Sequence, residues 1–154
     1  MLISPFNHHN FTPTQHKVRL INDQHMDALK KQIQINNETF LKDIQTSFNA
    51  YYPYLKIEFL EPKKYSLEPR LKNDHYSMQV KDLLLLQNPI AIDVSNGRTI
   101  EDIIKDFKKN TGTTINVSRK SGNIWNVITL TGSWTLESQN NAGLFISSEM
   151  QLTG

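Results

Sequence analysis

The sequence predicts an α+β protein with a ferredoxin-like two-layer sandwich, in which two helices lie on one face of an antiparallel sheet. A strand–helix–strand (β-α-β) pattern occurs twice along the chain, and each predicted helix carries apolar residues at helical spacing. The length of 154 residues suits one domain with its own core. We therefore predict a single α+β domain over residues 31–154, preceded by a partly disordered N-terminal extension over residues 1–30.

The first unit begins with a short alternating segment, Gln32–Ile35, which we predict to be a strand. Asn36 and Asn37 are good N-cap residues for the helix that follows. Pro53 must end this helix, because the residue before a proline is pushed out of the α region. The apolar stripe of the helix is made of Phe40, Leu41, Ile44 and Phe48. A second strand is predicted where apolar residues alternate with charged ones, at Leu55, Ile57 and Phe59.

A polar connection over residues 61–76 and a short helix over Met78–Leu86 lead to the second unit, whose first strand lies at Ile90–Ile92. Thr99, with Asp102 three residues later, is typical of a capping box at a helix start. The stripe of this helix is formed by Ile100, Ile103, Ile104 and Phe107. A glycine stop and an alternating strand follow, at Gly112 and at Ile115 and Val117.

The C-terminal part adds a hairpin strand and a short helix. The turn Ser121-Gly122-Asn123 precedes a strand over Ile124–Leu130 that is apolar on both faces and therefore needs cover on both. A homodimer contact is one candidate for that cover. The other is the C-terminal segment, with Leu144, Phe145, Ile146 and Met150. Residues 135–140 are predicted to form a short helix capped by Thr135 and stopped by Gly143.

Composition limits the classes of function. The net charge of +2 is far from the strongly basic balance of a dedicated nucleic-acid binder. The absence of cysteine excludes disulfides and thiol catalysis. Neither a membrane-length apolar run nor a signal peptide is recognised, so we expect a soluble, cytoplasmic protein without membrane contact. No metal-binding or catalytic spacing is present, and we expect neither metal nor cofactor.

The candidate binding residues all lie between the hairpin and the C-terminal helix: Arg119, Lys120, Trp134, Gln139 and Asn140. Cationic tips, tryptophan rings and amides can bind an anion, a small ligand or a protein. Ordinary hairpin and capping chemistry also accounts for much of this segment. We predict a non-enzymatic interaction module that binds a protein or small ligand at the Trp125/Trp134 end. A small enzyme with its site between the sheet and the 61–76 loop, and a weak nucleic-acid binder, are the alternatives.

The same segment carries a resemblance. The pattern Arg119-Lys120-Ser121-Gly122-Asn123-x-Trp125, followed by Trp134-Thr135-Leu136-Glu137-x-Gln139-Asn140-x-x-Gly143, resembles a family of small uncharacterised proteins from Bacteroidetes-type bacteria. The strand beginning Tyr52-Pro53-Tyr54 is similar too, so the resemblance covers roughly residues 32–143. That family usually has an aspartate shortly before the second tryptophan, where this chain has Gly132-Ser133. The resemblance implies a bacterial source and no particular chemistry.

Overall fold

The computed structural model describes residues 30–60, 77–83 and 85–152, with the side chains of residues 151 and 152 excepted. The chain divides into two units, Met1–Lys30 and Lys31–Gly154, and all of the described helices and strands belong to the second. The predicted extension over residues 1–30 and the connection over 61–76 lie outside the described residues. The described elements are β1 (Gln32–Ile35), α1 (Leu41–Tyr51), β2 (Leu55–Phe59), α2 (Val80–Leu83), β3 (Ile90–Asp93), α3 (Ile100–Thr111), β4 (Ile115–Ser121), β5 (Ile124–Val127) and α4 (Leu136–Leu152).

The strands form two antiparallel sheets, which confirms the α+β class, and the element order repeats strand–helix–strand twice. The first strands of the two units pair as β1-β3, with Ile33 opposite Ile92. The second strands pair in the larger sheet β2-β4-β5, with Ile57 opposite Val117. The single ferredoxin-like sheet is not confirmed. Alternation along a strand predicts which side chains are buried, but it does not predict which strand lies alongside.

One hydrophobic core joins both sheets and the helices α1 and α3. Phe48 of α1 and Phe107 of α3 are fully buried, and Tyr52 after α1 is 2% exposed. The first residue of α4, Leu136, also lies in this core and is fully buried. The buried apolar members that the strands contribute are Ile33, Ile35, Leu55, Ile57, Ile92, Ile115 and Val117. Each β-α-β unit therefore supplies side chains to a shared interior.

The start of α3 agrees with the prediction, and the start of α1 differs from it. Helix α3 begins as predicted, because Thr99 Oγ1 accepts from the Asp102 backbone N–H and the Asp102 side chain accepts from the Thr99 backbone N–H. Helix α1 begins at Leu41, so its N-cap is Phe40, not Asn36 or Asn37, and Phe40 makes no side-chain cap bond. Phe40 is exposed, and the buried stripe consists of Leu41, Ile44 and Phe48.

The C-terminal predictions need three corrections. Strand β5 ends at Val127, earlier than predicted, and α4 runs through Gly143 to Leu152 instead of stopping there. Strand β5 is not covered on both faces, because Ile124 is 60% and Val127 45% exposed. Three of the four residues proposed as its cover are themselves exposed, namely Leu144, Phe145 and Met150.

Candidate functional site

The N-termini of α3 and α4 cap each other. A β-bridge pairs Thr99 with Thr135, the residues immediately before the two helices. The Ile100 N–H, in the first turn of α3, donates to the Trp134 carbonyl at 3.3 Å. In return the Leu136 N–H, in the first turn of α4, donates to the Arg98 carbonyl at 2.8 Å. We call this the second junction, because α3 belongs to the second strand–helix–strand unit. It satisfies first-turn amides that have no partner inside their own helix.

The same device occurs in the first unit, where a β-bridge pairs Phe40 with Gln79. The Leu41 N–H donates to the Met78 carbonyl at 3.0 Å, and the Val80 N–H donates to the Thr39 carbonyl at 2.9 Å. We call this the first junction. The two junctions correspond position by position, so the internal repeat extends beyond the β-α-β pattern to the helix that follows it.

The predicted site residue Gln139 is fully buried and bonded at both ends of its amide. Its Nε2 donates to the Thr131 carbonyl at 2.7 Å and to Thr131 Oγ1 at 2.8 Å. Its Oε1 accepts from the Arg119 guanidinium at 2.9 Å. The amide thus ties β4 to the loop before α4. Gln139 is 0% exposed, so its amide is not presented at the surface.

Asn140 and Gly143 bring α4 against the start of β2. Asn140 Oδ1 accepts from the Tyr54 N–H at 3.0 Å. A Cβ at Gly143 would lie 2.7 Å from Tyr54 Cβ and 3.2 Å from Arg119 Cγ, closer than real side chains approach. Glycine is therefore needed here for the close approach of helix and strand. This explains why Gly143 does not end the helix.

The hairpin tip is held by the second half of the same helix. Gly122 adopts a left-handed conformation with φ of 62°, which glycine favours, and its N–H donates to Ser147 Oγ at 3.2 Å. Met150 lies over the same glycine, with its sulfur 3.0 Å from where a Cβ would be. The residues of the hairpin and of α4 that seemed to mark a ligand site therefore dock the helix onto the larger sheet.

Lys120 and Trp134 differ from the other predicted residues in exposure or position. Lys120 is half-buried and lies opposite Trp125 in the β4–β5 register, on the sheet face away from the core. Lys56 Nζ lies 5.3 Å from the centre of the Trp125 ring, a cation–π contact on that same outer face. Trp134 keeps 47% of its surface exposed, although its carbonyl is used in the second junction.

A polar network around Asn96, which the sequence did not reveal, lies next to the second junction. Asn96 Oδ1 accepts from Lys31 Nζ at 2.7 Å and from the Tyr52 hydroxyl at 3.0 Å. Asn96 Nδ2 donates to Glu137 in the first turn of α4 at 3.2 Å. Burial raises the pKa of Tyr52, and the nearby carboxylate of Glu137 adds to the effect. Asn96 lies in the turn between β3 and α3, and its partners are distant in sequence, so the sequence did not indicate this network.

A shallow polar pocket lies elsewhere, beside the turn before α1. It has a volume of about 290 Å³ and is lined by Asn36, Asn37, Glu38, Leu86, Gln87, Asn88 and Pro89. Asn37 is already occupied, since its amide bonds both the N–H and the carbonyl of Leu86. Glu38 pairs with Lys81 at 2.8 Å. The pocket offers hydrogen-bonding groups, and its one ionisable residue is already paired.

Two negative observations concern the described residues. None of their helices has the length and apolar character needed to cross a bilayer. Within the same ranges, no group of three or more histidine, cysteine or acidic residues is placed to hold a metal ion. The five histidines of the chain, at positions 8, 9, 16, 25 and 75, lie outside these ranges.

The structure brings Arg119, Gln139 and Asn140 together as an internal docking arrangement and leaves Trp134 as the most exposed of the five predicted residues. Sequence reasoning missed Tyr54, Thr131 and Asn96, whose roles depend on contacts across the fold. Comparison with family models, curated proteins and solved structures gives no match to this chain. Its own residues are therefore the basis for a functional assignment.

Proposed function

We propose that this chain is a non-enzymatic interaction module that binds a protein partner through its C-terminal third. The observation that carries the proposal is the distribution of exposed apolar side chains. Among the residues that the structure describes, seven of the eleven exposed large hydrophobic residues fall between positions 124 and 150: Ile124, Val127, Leu130, Trp134, Leu144, Phe145 and Met150. We call these residues the C-terminal apolar set. Single exposed hydrophobics are ordinary, whereas contiguous apolar patches mark interaction surfaces, and the grouping of these residues in one part of the sequence supports such a surface there.

The loop between β5 and α4 contributes the most exposed members. Leu130 is 96% exposed and Trp134 is 47% exposed. The backbone of this loop is nevertheless fixed, because the carbonyls of Thr131, Gly132 and Trp134 accept internal hydrogen bonds. A fixed backbone that presents apolar side chains loses little entropy on binding. Tryptophan is also among the residues enriched where binding energy is concentrated.

The test is capture of partners from the source cells on three immobilised proteins: the wild type, the double variant Leu130→Ser/Trp134→Ala, and the control Leu85→Ser. Leu85 is 66% exposed but lies outside the C-terminal apolar set. We expect at least one protein to be retained by the wild type and the control and lost from the double variant. That protein, once purified, should bind the double variant at least tenfold more weakly in a direct titration.

Both variants alter exposed side chains, so their thermal melts should match that of the wild type and exclude unfolding as the cause of a loss. Identical retention by all three proteins would contradict the proposal. A partner lost from Leu85→Ser alone would move the binding surface to the first unit.

The family and the location of the chain are proposals of the same kind. We propose membership of the Bacteroidetes-type family from the sequence pattern alone; in the structure its residues Arg119, Gln139, Asn140 and Gly143 dock α4. A cytoplasmic location is supported by the absence of cysteine from the sequence. The enzyme alternative depends on the 61–76 loop, outside the described residues. The nucleic-acid alternative has support only from Lys56, Lys120 and Trp125 on the outer face.

A further inference from the structure

Strand β5 is the outer strand of the larger sheet in the part of the chain that the structure describes. Natural edge strands are usually protected from pairing with other chains by charged residues, prolines or bulges. Residues 121–136, which include the whole of β5, contain neither a charged residue nor a proline. Ile124 and Val127 are exposed on opposite faces of this strand. As far as the described residues go, the edge is therefore open to pairing.

The direction of its backbone groups follows from the β4–β5 ladder. The Ile128 N–H donates to the Val117 carbonyl at 2.9 Å, so residue 128 faces β4. Because backbone groups alternate along an antiparallel strand, Ile124 and Asn126 also face β4, while Trp125 and Val127 direct their N–H and carbonyl groups outward. Two residues of β5 thus offer two donors and two acceptors to a further strand.

The geometry points to a second copy of this chain as the occupant, joined by antiparallel β5–β5 pairing about a two-fold axis at Asn126. In this register Trp125 pairs with Val127 of the partner subunit, and the outward groups of both residues exchange hydrogen bonds. Ile124 lies opposite Ile128 of the partner subunit on the other face. Apolar residues then meet apolar residues on both faces, a favourable cross-strand arrangement. The sequence Ile124-Trp125-Asn126-Val127-Ile128 is apolar–apolar–polar–apolar–apolar in either direction.

The neighbouring symmetric registers do not have this property. Only axes through a residue keep the two copies on matching faces, because side chains alternate with a period of two. An axis at Trp125 pairs Ile124 with Asn126 of the partner subunit. An axis at Val127 pairs Asn126 with Ile128 of the partner subunit. Both registers bring a polar amide opposite an isoleucine, and both are therefore disfavoured.

This inference goes beyond the proposed function, because the pairing uses residues 124–128 and neither Leu130 nor Trp134. A pair of five-residue segments, residues 124–128 of each copy, is small beside the roughly 1,200–2,000 Å² that stable interfaces bury in total. We therefore expect a reversible monomer–dimer equilibrium, visible in analytical ultracentrifugation as a mass that rises with protein concentration. The variant Val127→Lys should stay monomeric, since it places a charge at the centre of the pairing edge. The matched control Gln34→Lys adds the same charge at an exposed position of β1 and should dimerise like the wild type.

The register has its own test, because the chain has no cysteine. At an Asn126-centred axis the two copies of residue 126 form a non-hydrogen-bonded pair, with Cα atoms about 4.5 Å apart. That separation lies within the range that disulfides span. Asn126→Cys should therefore give a disulfide-linked dimer under mild oxidation. Thr129→Cys should not, since its two copies would be about 20 Å apart, six residues along the strand.

A wild type that remains monomeric at all concentrations would overturn the inference. So would a dimer that Val127→Lys leaves intact, or a dimer in which Thr129→Cys links and Asn126→Cys does not. These failures are distinct from failure of the proposed function. A monomeric chain that still loses a captured partner in Leu130→Ser/Trp134→Ala would be an interaction module for another protein.

Discussion

The two junctions use the same backbone hydrogen bonds but differ in their side-chain caps and in the lengths of their helices. At the first junction α1 starts at Phe40 without a side-chain cap, and its partner helix α2 is four residues long. At the second junction α3 has a complete capping box, and its partner helix α4 is 17 residues long. At the first junction α2 is capped by Asp82, whose Oδ2 accepts from the Gln79 N–H at 2.7 Å, but the complete capping box lies at the second junction, where a 17-residue helix must be held against a sheet. The motif-rich segment is explained first by that structural need.

The largest effect is expected where the two halves are equivalent. Phe48 and Phe107 are both fully buried, and each contacts an aromatic ring, Tyr52 at 5.4 Å and Phe59 at 6.0 Å between ring centroids. Phe48→Ala and Phe107→Ala should each lower the free energy of unfolding by about 3–5 kcal/mol, measured by urea denaturation. Both variants should unfold in one transition, because the halves share a core. A two-step transition in either variant would show that the halves are separate cooperative units.

A smaller effect, confined to the second half, is expected at Gly143. An alanine Cβ there would clash with Tyr54, so Gly143→Ala should destabilise the fold by about 1–3 kcal/mol through overpacking. Gly97→Ala is the matched control. It has no atom within 4 Å of the added Cβ and no positive φ, and its melting temperature should be unchanged or slightly raised. Equal tolerance of both changes would mean that α4 does not dock closely on β2.

The smallest effect compares the two N-caps directly. Thr99→Ala removes the side-chain acceptor for Asp102 N–H and should cost about 0.5–2 kcal/mol in thermal or chemical unfolding. Phe40→Ala should cost less, because Phe40 is 40% exposed and caps nothing with its side chain. A larger loss from Phe40→Ala would show that Phe40 contributes through packing.

The capping box also makes the second junction sensitive to acid. Hydrogen bonds from Thr99 hold the pKa of Asp102 below its usual range. A carboxylate with a lowered pKa in the folded state stabilises the protein above its unfolded-state pKa of about 3.9, and this contribution is lost as the pH falls through the folded-state pKa. The stability difference between wild type and Asp102→Asn should therefore be full near pH 7 and shrink steadily below about pH 4. A difference independent of pH would assign the effect of the substitution to something other than the charge.

The sequence predicted most elements, because their periodicity and caps are local. The bounds of β2, the capping box at Thr99 and the turn at Gly122 all follow from residues within a few positions of one another. The failures share a different cause. Phe40 was wrongly assigned to the buried stripe. The helix begins after Phe40 because the Leu41 N–H donates to the carbonyl of Met78, which is distant in sequence. This bond replaces the side-chain cap that Asn36 or Asn37 was expected to provide. Gly143 was interpreted as a stop because its contact with Tyr54 was not visible.

The candidate site shows the same division. Its residue types suggested recognition, since amides, arginine and tryptophan are common in binding surfaces. The structure bonds the amides of Gln139 and Asn140 internally and leaves Trp134 half exposed. An amide in a sequence does not reveal whether it meets a backbone group or solvent. Only the position of α4 over β4 decides that question for these residues.

The sequence by itself determined the local features of this protein: the repeated strand–helix–strand order, the capping box of α3, the hairpin and the uncharged strand β5. These features depend on contacts between neighbours in the chain, whose energies act at short range. Tertiary structure alone decided the division into two sheets, the reciprocal capping at the junctions and the docking of α4 through Gln139, Asn140 and Gly143. Those features depend on which segments meet across the core, and several topologies satisfy the same pattern of buried and exposed residues.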